Sequence, residues 1–277
     1  MLLTCDQLAR QLDSPELKIF DCRHDLMDIE KGERLYREAH IPGAYFLHLD
    51  RDLSASMTGG NGRHPLPAPA DFIRLLSEHG VTQQSTIVAY DDAGGMIASR
   101  LWWMCRWIGL KHVFLLDGGI SKWMNEGRAV TAELPIKKVA PLAARANPLM
   151  VMTAVEIEAR LNTDDMRLID ARAAERYRGE VEPIDPVAGH IPSALNRFCK
   201  INLNADFTFR PVAEIKREFE VLLGGVDPQR VVHQCGSGVT ACANLFAMEY
   251  AGLQGSKLYA GSWSEWIADP ARPVSKD

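Results

Sequence analysis

Long hydrophobic runs are missing from this chain. No apolar stretch approaches the roughly 20 residues that a bilayer-spanning helix requires, so membrane insertion is not expected. The opening residues Met1-Leu2-Leu3-Thr4-Cys5-Asp6 lack a basic stretch followed by an apolar one, so no secretory signal is expected either. Clusters of Lys and Arg are also absent. The 31 basic and 36 acidic residues give a net charge of −5, which argues against nucleic acid as a partner. The six cysteines at 5, 22, 105, 199, 235 and 242 include no C-x-x-C pair and no His/Cys spacing of the zinc kind. Scattered thiols of this sort point to a reducing cytoplasm, and neither a metal nor an organic cofactor is expected. With 47% hydrophobic and 24% charged residues over 277 positions, the composition is that of a globular protein with room for two ordinary domains.

What the chain does have is repetition at domain scale. Leu17-Lys18-Ile19-Phe20-Asp21-Cys22-Arg23 parallels Met166-Arg167-Leu168-Ile169-Asp170-Ala171-Arg172. His40-Ile41-Pro42-Gly43-Ala44 parallels His190-Ile191-Pro192-Ser193-Ala194, Ile87 to Asp91 parallels Val231 to Cys235, and Gly118 to Trp123 parallels Gly261 to Trp266. Each half alternates short apolar runs with amphipathic helical patterns, which predicts an α/β fold with a mostly parallel sheet and helices on both faces. Strands are expected at 86–90, 113–116, 167–169, 231–234 and 256–259, and helices at 96–108, 214–223 and 241–250. Ile136 to Pro148, rich in Ala, Pro and basic residues, reads as a linker. The expected division is a first domain over 1–135, a linker over 136–149 and a second domain over 150–277. Trp102, Trp103 and Trp107 read as core or domain-interface residues.

The most pointed stretch is Val231-Val232-His233-Gln234-Cys235-Gly236-Ser237-Gly238-Val239-Thr240-Ala241. An apolar strand ends in a cysteine, two glycines follow, and a helical segment begins at once. That order turns backbone N–H groups and the positive end of a helix toward the sulfur, a setting that favours an anion and suits a nucleophile.

Cys235 to Ala241 resembles the active-site loop of the rhodanese superfamily, in the form typical of its mercaptopyruvate-type sulfurtransferases. Further motifs carry the same resemblance along nearly the whole chain: Ala39 to Ala44 and Gly189 to Ala194 (G-H-I-P-G-A), Asp170-Ala171-Arg172 with Arg176-Tyr177-Arg178-Gly179, and Gly261-Ser262-Trp263-Ser264-Glu265-Trp266. The resemblance implies a tandem sulfurtransferase. Cys235 would take sulfur from a small anionic donor as a persulfide and pass it to cyanide, a small thiol or a reduced protein thiol. Backbone groups of Gly236, Gly238, Val239 and Thr240 would cradle that sulfur, Ser237 would assist proton transfer, and Arg176 would grip the donor. Thr240 would bond within the loop or cap the next helix. With Asp91 at the position matching Cys235, the first domain is expected to be catalytically silent and to form one wall of the cleft, Asp91 itself capping the following helix.

The neutral pair Gly236-Ser237 stands where thiosulfate-preferring members carry a basic pair, which favours 3-mercaptopyruvate as donor; thiosulfate is the alternative. One departure is that Gly179-Glu180-Val181-Glu182-Pro183-Ile184-Asp185-Pro186 lacks the second substrate arginine that such enzymes carry in a P-E-P-R run. Arg197, Lys200 or a residue of the first domain would have to replace it. His40, His190 and Arg172 read as structural, Arg178 as solvent-facing and Cys242 as a core cysteine. A Cys-based phosphatase would need H-C-x5-R, and here Gln234 precedes the cysteine and Ala241 stands six after it. A persulfide carrier without turnover is the remaining rival.

Overall fold

The computed structural model describes residues 1–161 and 163–276. The chain divides into two compact units. The first comprises Met1–Ala55, Pro67–Asn147 and Leu203–Phe209; the second comprises Ser56–Leu66, Pro148–Asn202 and the chain from Arg210 onward. The units follow the sequence halves except for two short segments. Ser56–Leu66, from the first half of the sequence, belongs to the second unit, and Leu203–Phe209 belongs to the first.

In the first unit, β1 (Leu2–Leu3), β2 (Leu17–Asp21), β3 (Ala44–Phe46), β4 (Thr86–Tyr90) and β5 (Val113–Leu116) form one sheet in the order β1-β5-β4-β2-β3. In the second, β6 (Arg167–Asp170), β7 (Leu195–Asn196), β8 (Val231–Gln234) and β9 (Lys257–Leu258) take the order β7-β6-β8-β9. Neighbouring strands run parallel throughout both sheets. Parallel sheets are covered by helices on both faces, so their central strands are apolar on both sides. This is why β8 is buried along its whole length, and β4 from Ile87 onward.

The expected elements are present, with small shifts at their ends. The helix expected at 96–108 spans Ala98–Trp107, and that expected at 214–223 begins at Val212. The last expected strand shortens to Lys257–Leu258. Residues 132–147 form no helix or strand. Trp102, Trp103 and Trp107 are buried, Trp103 and Trp107 with their rings stacked at 5.8 Å.

Both units use the same posts. Asp21 and Asp170, fully buried at the ends of β2 and β6, pair with Arg23 at 2.6 Å and Arg172 at 2.7 Å. Each arginine also reaches the carbonyl before the histidine turn that both halves repeat, Arg23 to Ala39 at 2.7 Å and Arg172 to Gly189 at 2.8 Å. His40 stacks on Tyr36 and bonds its carbonyl at 2.7 Å; His190 stacks on Tyr177 and bonds its carbonyl at 2.9 Å. Both histidines also pair through their backbones with a later stretch, Thr131 and Ser275. Their expected structural role is what these contacts describe. Arg172 is likewise structural, lying over the Trp263 ring, and Arg178 pairs with Glu180 at the surface.

Candidate active site

Strand β8 delivers Cys235 to the C-terminal edge of its sheet, and the helix Ala241–Tyr250 begins just beyond the loop. Cys235 is buried, and its Sγ accepts the N–H of Gly238 at 3.2 Å. Gly238 holds φ at +76°, and a Cβ there would strike the Ala260 carbonyl, so this turn requires glycine. The loop is tied down by the short helix Ser262–Trp266. Ser262 Oγ accepts the Cys235 N–H at 3.1 Å, while Trp263 N–H and Ser264 N–H donate to the carbonyls of Cys235 and Gly236 at 3.0 and 2.9 Å. This explains why a G-S-W-x-E-W segment accompanies the cysteine loop: its backbone is the loop's clamp.

Two residues that sequence reasoning did not single out complete the surroundings. Ser56–Leu66 brings Arg63 and His64 to the loop, and Ser264 Oγ holds this segment by accepting the Arg63 N–H at 3.0 Å. The His64 imidazole shares a hydrogen bond with the Ser237 hydroxyl, Nδ1 to Oγ 2.7 Å. A Cβ on Gly236 would lie 2.9 Å from Arg63 Nη2 and 3.7 Å from Arg176 Nη2. Both guanidiniums therefore face the loop, and a side chain at Gly236 would crowd them. The one sequence signal was the run Gly59-Gly60-Asn61-Gly62-Arg63-His64, which stands outside the repeated motifs.

Arg176 reaches Glu182 through two bonds, at 2.6 and 3.2 Å, and Asp185 at 3.3 Å; Asp185 also pairs with Arg63. Burial pushes the Asp185 carboxyl above the usual carboxylate range, against the pull of Arg63. Burial acts the same way on Glu182, but its bonds to Arg176 and to the Asp185 N–H outweigh it and hold that carboxyl low. Ile184 occupies the stretch where a second arginine was sought. Of the proposed substitutes, Arg197 is spent elsewhere: it lies 4.1 Å from the Phe219 ring and bonds Asn202 and Glu218. Lys200 is exposed on the turn Cys199–Asn202. Arg63, from the first half of the sequence, is the cation that stands beside Arg176.

Thr240 corrects one expectation. Its side chain makes no cap bond to the helix Ala241–Tyr250 and bonds the Cys199 thiol instead. Val239 is buried, and Cys242 is a core cysteine whose thiol points to the Gly238 carbonyl at 3.4 Å.

In the first unit Asp91 stands at the end of β4. Its carboxylate accepts the N–H groups of Ala93 (2.9 Å), Gly95 (2.8 Å), Ile97 (2.8 Å) and Ala98 (2.9 Å). It caps the helix Ala98–Trp107, as expected, and it also fills the loop that precedes it. Among the described residues one group, His24, His48 and Asp50, has the makings of a metal site. Both ring nitrogens of His48 are already engaged, Nε2 with the Ile29 carbonyl and Nδ1 with the Asp50 N–H, so the cluster does not fit an ion as it stands.

The family model described as "Rhodanese-like domain" matches residues 4–126 and 153–269. The chain is 46% identical over 276 residues to a Pseudomonas aeruginosa protein named "Probable 3-mercaptopyruvate sulfurtransferase", covering 99% of this chain and 97% of that one. It is 32% identical to the 3-mercaptopyruvate sulfurtransferase of Escherichia coli K12, over 97% of this chain and 95% of that one. Among solved structures, 3-mercaptopyruvate sulfurtransferase from Leishmania major superposes with a TM-score of 0.85 at 29% identity, covering 96% of this chain and 74% of that one.

Proposed function

We propose, from the premise that this chain belongs to the rhodanese-like domain family through both of its halves, that it is a sulfurtransferase taking sulfur from 3-mercaptopyruvate through Cys235. The observation that carries this reading is the company around one buried sulfur. A backbone N–H meets Sγ, a Ser237–His64 pair stands two residues on, and two guanidiniums face the loop.

Each part has a task. The Cys235 thiolate attacks the donor's sulfur, the donor's C–S bond breaks, and the electron pair leaves on the enolate of pyruvate. The proton that the transferred sulfur carried passes through the Ser237 hydroxyl, which shares a hydrogen bond with His64, to that enolate, giving pyruvate and leaving the persulfide as its anion. The persulfide then rests in the loop, where the Gly238 N–H stabilises its charge. Cyanide or a thiolate attacks the outer sulfur in the second half-reaction and restores Cys235. The donor's carboxylate is gripped by guanidinium, which binds it bidentately. Asp91, lacking a sulfur, leaves the first unit's loop without a carrier. Six free cysteines suit a reducing cytoplasm as the place of work.

The test is steady-state transfer to cyanide with 3-mercaptopyruvate and with thiosulfate on the same enzyme, alongside intact-mass detection of persulfide. A strong preference for 3-mercaptopyruvate is expected, with one sulfur added at Cys235. Preference for thiosulfate would transfer the donor assignment to that dianion, and absence of any persulfide would overturn the mechanism.

A further inference from the structure

We propose that Arg63 and Arg176 form one carboxylate seat, that Asp185 occupies this seat in the donor-free protein, and that a donor binds by exchanging its own carboxylate for that of Asp185. The inference rests on the reading of the site as a sulfurtransferase with a carboxylate-bearing donor.

The first support is shared placement. Arg63 and Asp185 lie on different stretches of chain, and the helix that clamps the cysteine loop bonds Arg63 itself and Val187, two residues beyond Asp185. Ser264 accepts the Arg63 N–H at 3.0 Å, and the Trp263 indole donates to the Val187 carbonyl at 2.9 Å. Neighbouring N–H groups of the same two residues bind the carbonyls of Cys235 and Gly236. The backbone of Arg63 is thus tied to the helix that also holds the cysteine loop.

The second support is the difference between two acids. Glu182 is locked. Besides its two bonds from Arg176, its Oε1 accepts the N–H groups of Ile184 and Asp185, both at 3.1 Å. Asp185 uses its carboxylate for the two guanidiniums, one oxygen toward Arg63 and the other toward Arg176. Its side chain is 4% exposed, against 26% for Arg63 and 18% for Arg176. A carboxylate bridging two guanidiniums that both remain partly exposed has the arrangement that a bound substrate carboxylate would need.

The third support is charge. Arg63 and Arg176 with Glu182 and Asp185 form a neutral quartet, and the nearby Arg172 is matched by Asp170. An added carboxylate would leave this half-buried cluster one negative charge in excess, which a low-dielectric setting penalises. Departure of Asp185 restores neutrality. Its segment permits this: residues 178–189 carry no helix or strand, and Ile184 and Val187 beside Asp185 are exposed.

The experiment measures the competitive inhibition constant of pyruvate, a sulfur-free α-keto carboxylate, against 3-mercaptopyruvate, together with KM and kcat. Asp185→Asn is expected to tighten pyruvate inhibition and lower KM by about tenfold each, with kcat within about twofold. Arg63→Gln is expected to weaken both by about tenfold or more. In the double variant most of the gain from Asp185→Asn should vanish. Unchanged or weaker pyruvate binding in a folded Asp185→Asn, or unchanged binding in Arg63→Gln, would overturn the proposal. Should Asp185→Asn melt early, Arg63→Lys carries the test without touching the buried carboxylate: it keeps the charge but loses the fork, so pyruvate should bind more weakly. Persulfide formation on the wild-type enzyme separates the two levels. If the persulfide forms and pyruvate binding ignores these changes, only the seat fails; if none forms, the sulfurtransferase reading fails with it.

Discussion

The loops after β4 and β8 share a backbone and differ in who supplies the negative charge. Gly94 holds φ at +71° where Gly238 holds +76°, and Gly119 at +57° matches Ser262 at +53°. The carbonyl of Asp91 accepts Ile120 N–H at 3.0 Å, as the carbonyl of Cys235 accepts Trp263 N–H at the same distance. In the first loop a carboxylate from the chain itself gathers four N–H groups, so the loop is filled and closed. In the second a thiol takes that place and accepts the Gly238 N–H, and the clamp of Ser262 to Ser264 holds the loop from outside. Ser262 is the telling difference. A serine in a left-handed conformation costs roughly 1 kcal/mol or more that glycine avoids, and its Oγ is what receives the Cys235 N–H. On the proposed reading, one nest serves stability when its anion is built in and chemistry when the anion is a passing sulfur.

The most forceful way to separate the loops is to remove each one's defining atom. Cys235→Ser should lower sulfur transfer by at least about 10³-fold, since an alcohol in place of the proposed carrier thiol forms no persulfide, while the melting temperature stays within a few degrees. Retained transfer, measured as thiocyanate formation, would break the comparison at its centre.

Asp91→Ala should do the reverse. Buried N–H groups would lose their acceptor, at a cost of about 3–5 kcal/mol after partial relaxation, or a fall of about 10 °C in melting temperature. Below that transition, kcat should be close to wild type. Loss of transfer in a folded Asp91→Ala protein would mean that the first loop contributes more than stability.

The strands that feed the loops differ as well. Where β4 carries Ala89, β8 carries His233, wholly buried with Nε2 3.1 Å from Met248 Sδ. Burial, helped by the charge of Arg197, lowers its pKa from 6.5 to about 3. Above pH 6.5 neither the folded nor the unfolded chain holds this proton. Between 6.5 and about 3 the unfolded chain binds it and the folded chain does not, so stability falls with falling pH by at most about 1.4 kcal/mol per unit. Denaturant titrations from pH 7 to 5 should show this slope, and His233→Leu should flatten it. An unchanged slope would assign the acid sensitivity to the carboxylates alone.

Much of both loops was legible in the sequence because their information is local. Apolar runs set β4 and β8, glycines mark the turns, and the repeat aligns Asp91 with Cys235. The helix after Asp91 begins two residues later than its periodicity suggested, and at that start the carboxylate accepts the N–H groups of Ile97 and Ala98, which lack acceptors within the helix. Arg63, His64 and Asp185 were not legible. They lie in irregular segments with no hydrophobic period, and nothing near Gly62 or Pro186 in sequence tells where such a segment lands. For the missing arginine the sequence left Arg197, Lys200 and the first domain open, and only the fold of Ser56–Leu66, which belongs to the second unit, brings Arg63 to Asp185 beside Arg176.

The smallest expected effect sharpens the point that these loops work through backbone. Thr240 aligns with Met96, so the first loop keeps the same turn without a hydroxyl there. The Thr240 side chain bonds the Cys199 thiol and gives no cap to its helix. Thr240→Val keeps the shape and deletes one weak hydrogen bond, for which about 0.5–1 kcal/mol of stability is the expected cost. On the proposed reading, in which backbone N–H groups hold the persulfide, kcat should stay within about threefold of wild type. Thiocyanate formation by Thr240→Val, measured beside its melting curve, decides this: a fall of about a hundredfold in kcat would show that the hydroxyl itself reaches the transferring sulfur, a contact that the Asp91 loop has no counterpart for.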